Sequence, residues 1–148
     1  MSNIYVRTLE KWKSVGVSLV STEDRAVVER RLQKAGLQFG NDFLEFYATV
    51  GGMDATDSDL WSCWSIEKIL QENESYEREG VLFADWCIHS HIHLARRESA
   101  FRSSVWVDFS HEPEKVADSL DDFLERYLAK DETIYIYFDE PSIRNRTS

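Results

Sequence analysis

Three histidines stand two residues apart in His89-Ser90-His91-Ile92-His93. On an extended strand alternate residues share a face, so this spacing aims three imidazoles one way and turns Ile88, Ile92 and Leu94 toward a core. Three imidazoles with an open fourth position are a ligand set through which zinc activates water, and Asp85 and Cys87 lie near enough in sequence to add ligands. Geometry opposes this use, because consecutive same-face positions on a flat strand rarely meet one tetrahedral ion at bonds of about 2.0–2.1 Å. The preferred reading is a polar strand face without metal; His89, His91 and His93 are the candidates for a metal-dependent hydrolase if one exists.

The remaining reactive residues argue against catalysis. Cys87 precedes His89 by two positions, but neighbours along a strand are not the spatial pair that activates a thiol. Gly51-Gly52 lacks the glycine spacing and the lysine of a phosphate loop and reads as a turn. Asp121-Asp122 and Asp57-x-Asp59 are acid pairs set among further acidic residues, the pattern of a solvated surface rather than of tuned carboxylates. Trp61, Trp64, Trp86 and Trp106 fall in strand candidates, where packing is the default. Trp61 and Trp64 follow an acidic loop, and an aromatic anchor rimmed by charge is also how a binding hot spot looks. The expectation is a non-enzyme.

Charge says what such a protein would bind. The chain has 148 residues and a net charge of -10, which disfavours nucleic acid and anionic membrane as partners. Residues 1–36 hold 7 basic and 4 acidic residues, and residues 37–148 hold 10 basic and 23 acidic. The acidity therefore belongs to the body of the chain. Two cysteines, Cys63 and Cys87, are too few for a disulfide framework and are expected to be buried and reduced. The first residues lack the apolar run of a signal peptide and no stretch has the length of a membrane span, so a cytoplasmic protein is expected.

The elements that must position these residues follow from periodicity. A first helix is expected from Ser21, with Val27, Val28, Leu32 and Ala35 on one face and Gly36 at its end. A second begins near Asp42, with Glu45 completing a capping box and Gly51-Gly52 stopping it. Strand candidates are Leu60 to Trp64, Val81 to Ala84, Ile88 to Leu94, Val105 to Phe109 and Ile134 to Phe138. Ser65 caps a short helix carrying Ile66, Ile69 and Leu70, and an exposed acidic segment runs from Glu72 to Glu79. From Val116, apolar residues at 120, 123, 124, 127 and 128 trace one face of an amphipathic helix. Short connections between strands favour antiparallel pairing. The fold class expected is α+β, one domain with an antiparallel β-sheet flanked by helices.

These pieces, in this order, resemble the SUKH superfamily, the Smi/Knr type of domain. The likeness runs over 41–128: Asp42-Phe43-Leu44-Glu45-Phe46-Tyr47 before Gly51-Gly52, then Leu60 to Ile69, Phe83-Ala84-Asp85, and Val116-Ala117-Asp118-Ser119-Leu120-Asp121-Asp122-Phe123-Leu124. The sequence departs from the pattern at Phe39-Gly40-Asn41, at Val50 and in the histidine-rich stretch after Asp85. The resemblance implies a binding scaffold without cofactor, of the kind that serves bacteria as an immunity protein or antitoxin against a polymorphic or contact-dependent toxin. It also implies an alternative, a regulatory interaction scaffold linked to cell-wall or envelope functions.

Together these readings give an acidic protein that meets a cationic protein toxin. The candidate contacts are Asp54, Asp57, Asp59 and Trp61 in one loop, with Glu72, Glu74, Glu77 and Glu79 in a second segment. Association of the free protein with a second copy is left open.

Overall fold

A computed structural model describes residues 3–77, 79–109 and 112–135. Three helices come first: α1 (Asn3–Ser14), α2 (Arg25–Lys34) and α3 (Asn41–Thr49). Then follow β1 (Trp61–Cys63), α4 (Ile66–Glu72), β2 (Val81–Trp86), β3 (His91–Arg97), β4 (Ser103–Asp108), β5 (Glu114–Ala117), α5 (Leu120–Leu128) and a single 3₁₀ turn, Glu132–Ile134. The strands form one sheet in sequence order, and every pair is antiparallel. This is the α+β architecture expected from the alternation of elements.

Helix α5 shows why the sequence folds this way. Ser119 is extended and its side chain accepts a hydrogen bond from Asp122 N at 3.0 Å, satisfying one of the orphan donors of the first turn. Asp121 and Asp122 suit the positive end of the helix and Arg126 the negative end. Leu120, Phe123, Leu124 and Tyr127 are buried. Phe123 lies 5.9 Å from Trp61, 6.1 Å from Phe83 and 4.9 Å from His93, ring to ring, so α5 closes the core over the sheet.

Several boundaries differ from expectation. Val116 does not open α5: it lies in β5, where Ala117 pairs with Val105, and the Arg126 guanidinium bonds its carbonyl. The helix at 21 starts at Arg25 with Asp24 at its cap and no side-chain capping bond, because the backbone of Val20 and Ser21 instead packs against Gly51. A Cβ on Gly51 would collide with the carbonyl oxygens of Val20 and Ser21, and Val20 N bonds Gly52 O at 2.9 Å. The glycine pair is therefore a close-approach site as well as a helix stop. Helix α3 begins at Asn41 behind Gly40 and has no capping box. Asp42 instead accepts from Phe43 N at 2.7 Å and from Ser103 N at 2.9 Å.

Helix α1 was not anticipated. Its buried stripe, Ile4, Thr8 and Trp12 with Tyr5 beside it, contains a threonine whose hydroxyl returns to Ile4 O at 2.8 Å. The last strand candidate fails at Ile134–Tyr135, which belong to the 3₁₀ turn and its cap; its remainder, 136–138, lies outside the described residues. Among the described residues no helix is long and apolar enough to cross a membrane.

Candidate protein-binding site

The three histidines do not share one face: His91 and His93 stand two apart on β3, and His89 precedes the strand. Chain reversal occupies 87–90, and Cys87, Ile88 and His89 have φ of 57°, 54° and 66°. His89 therefore belongs to a turn, where its N–H donates to Asp85 Oδ2 at 2.7 Å and its ring stands 4.0 Å from Glu72. His91 is stacked on Phe109, centroids 4.0 Å apart at 7°, and meets Trp86 edge-on at 5.1 Å. Its pKa is lowered by burial. His93 is fully buried; Nδ1 accepts the Trp61 indole N–H at 3.0 Å, and Nε2 contacts Ile134 O. The indole can only donate, so Nδ1 is the acceptor and Nε2 carries the proton to the carbonyl. Both ring nitrogens are thus committed, and burial lowers the pKa to about 4. Asp85 spends its other oxygen on Trp64 Nε1 at 2.6 Å. Among the described residues no three His, Cys, Asp or Glu side chains are grouped to hold a metal ion.

The acidic loop divides into an inside and an outside. Asp57 is buried: Oδ1 accepts from Asp59 N at 2.8 Å and Trp61 N at 3.0 Å, and Oδ2 accepts from Tyr127 OH at 2.6 Å. Tyr127 in turn accepts the Trp12 indole N–H at 2.8 Å. Burial and the Asp57 charge push the Tyr127 phenol upward. Trp61 is wholly buried, 4.6 Å from Tyr127. Asp57 and Trp61 are therefore corrected from contact residues to the support of the loop. Cys87 is corrected as well, being exposed, whereas Cys63 is buried with its thiol pushed up to about 12.

What the loop presents is Asp59. Its backbone carbonyl accepts the Trp86 indole N–H at 2.8 Å and its carboxylate meets Lys130 Nζ at 3.0 Å. Leu60 follows at φ 70°, and its carbonyl accepts Cys87 N at 3.0 Å. Lys130 has φ 59°. All five non-glycine residues described with positive φ, Leu60, Cys87, Ile88, His89 and Lys130, thus belong to three loops joined through Asp59 and Leu60. Left-handed backbone costs such residues roughly 1–3 kcal/mol each and persists where the surroundings over-determine it. Leu60 is 47% exposed and Ile88 79%. Val15, also exposed, borders a small cavity of about 80 Å³ with Ser58, Asp59, Leu128 and Lys130. Beside it Asp59, Trp86, Lys130, Glu132 and Tyr135 line a second cleft of about 280 Å³.

The other acidic segment touches this cluster only through Glu72, 4.0 Å from His89, and its far end is separate. Asp59 sits against Trp86 at one end of β2, whereas Glu79 lies two residues before Val81 at the other. A six-residue strand puts roughly 17 Å between those ends. Glu74, Glu77 and Glu79 are exposed and Glu72 is half-buried. Asp54 is exposed and accepts from Ser18 Oγ at 3.2 Å. The structure therefore does not gather the eight expected contacts into one patch. Leu60, Ile88 and Lys130, absent from the expected set, take their place around Asp59. Neither family models nor curated proteins give a match to this chain.

Proposed function

We propose that this chain is an immunity-type protein, cytoplasmic and free of cofactor, that binds a cationic protein toxin and neutralises it by contact. The observation that carries the reading is the meeting of three left-handed loops at Asp59, with Leu60 and Ile88 open to solvent beside it. Apolar anchors ringed by charge are the anatomy of a binding hot spot. Loops locked in costly conformations before binding lose little freedom on binding. A net charge of -10 steers a cationic partner and speeds its association. Toxin domains that act on nucleic acid carry such positive surfaces because they hold phosphates.

The test is co-purification with the product of the neighbouring gene, at low and at high salt, together with relief of any toxicity that product shows. The proposal expects a complex that weakens as salt rises and cells that survive only when both proteins are present. Absence of a complex at low salt defeats it. A growth defect on deleting this gene in cells that lack the toxin would favour the regulatory scaffold instead.

A further inference from the structure

The larger cleft beside Lys130 joins two features that recognise a planar cation. One is an aromatic wall: the rings of Trp86 and Tyr135 are stacked with centroids 5.1 Å apart at 24°. The indole N–H of Trp86 is bonded to Asp59 O at 2.8 Å, which fixes the orientation of that ring. The other is negative charge, from the carboxylates of Asp59 and Glu132 on the same cleft. The Tyr135 phenol is pushed upward by burial and then by the charges of Asp57, Asp59 and Glu132, so their field reaches the aromatic wall.

One cation already stands in this field. Lys130 Nζ is 3.0 Å from Asp59 Oδ2, and both side chains remain substantially open to solvent. An ion pair so exposed is weak and readily exchanged. Lysine presents a point charge, whereas guanidinium is flat, stacks on aromatic rings and offers a fork of donors to carboxylates.

We propose that this cleft receives an arginine side chain of the protein partner, its guanidinium lying against the half-buried Trp86 side of the stacked pair and replacing Lys130 at the Asp59 carboxylate. The proposal rests on the protein-binding reading above and adds the residue type that the partner must offer. It gives Lys130 a definite part: its ammonium holds the place of the incoming cation and competes with it. The two members of one ion pair should therefore change binding in opposite directions.

The experiment titrates the full chain with N-acetyl-arginine N-methylamide at low salt and follows the Trp86 Nε1–H resonance. The neutral citrulline analogue, nearly the same shape without the charge, is the control. A saturable shift with the arginine compound and none with citrulline is expected. Lys130→Gln should tighten binding about five-fold and Asp59→Asn weaken it about five-fold, the size of one solvent-exposed ion pair at its upper end. Asp59→Asn keeps the backbone carbonyl that orients Trp86, so the ring stays in place. The proposal is overturned by an unmoved Trp86 resonance, by an equal shift with citrulline, or by a Lys130→Gln variant that binds no better than the parent. Loss of the toxin complex with arginine binding intact would defeat only the immunity reading; an intact complex with no arginine binding would defeat only this one.

Discussion

The indole N–H of Trp61 points at Nδ1 of His93 across 3.0 Å, in the middle of the core. This bond dictates a neutral imidazole, because protonation of Nδ1 would set two donors face to face between fully buried side chains. Stability should follow. The folded pKa of His93 is about 4, against about 6.5 in an unfolded chain. Between those values the unfolded chain binds a proton that the folded chain refuses. The His93 contribution is thus full above pH 6.5 and is lost as pH falls to 4, amounting to about 3 kcal/mol. Urea melts from pH 4 to 8 should show this loss, and a His93→Gln variant should show a much flatter profile across the same range.

Asp57 belongs to the fold and not to the encounter surface. Asp57→Ala removes the acceptor of Tyr127 OH and of two backbone N–H groups, Asp59 and Trp61. Leaving buried donors unpaired should cost about 3 kcal/mol. Denaturant unfolding measures it. A neutral effect on stability would return Asp57 to the surface.

The two thiols should separate cleanly in a reagent assay on the native protein. Cys87 is exposed and should react at once, whereas Cys63 is buried, beside the Tyr47 hydroxyl at 3.5 Å, with its thiol pushed up to about 12. One thiol is expected to react before unfolding and a second only after it. Two fast thiols would contradict the packing around β1.

Ile88 sets stability against binding. A β-branched residue at φ 54° is strained and glycine there is not, so Ile88→Gly should stabilise the free protein or leave it unchanged, with a gain of up to about 1 kcal/mol. The same change removes an exposed apolar side chain from the proposed interface and should weaken the toxin complex. Thermal melts and titration calorimetry on one variant read both signs.

How much was legible in the sequence depends on how local each signal is. Helix α5 and its burial of Leu120, Phe123, Leu124 and Tyr127 were readable from spacing, because amphipathicity is a property of one segment. Ser65 as the cap of α4 was readable for the same reason. Val116 was misplaced because it falls on the helical repeat of α5, and only its strand partner reveals β5. The turn at 87–90 was invisible because Cys87-Ile88-His89-Ser90 contains no glycine, asparagine or proline to announce a reversal. Burial of Asp57 was beyond reach, since the hydroxyl that satisfies it comes from Tyr127, 70 residues away. Acidic residues look alike in sequence; partners decide which of them face water.

The most direct measurement of the central claim is the affinity of the toxin complex for three folded variants, Ile88→Asp, Asp59→Lys and, remote from Asp59 on the sequence after β5, Asp118→Lys. The first two should weaken the complex on the order of 100-fold, as hot-spot positions do, while Asp118→Lys should stay within about two-fold of the parent as a solvated charge does. Equal affinity across all three would contradict an interface centred on Asp59.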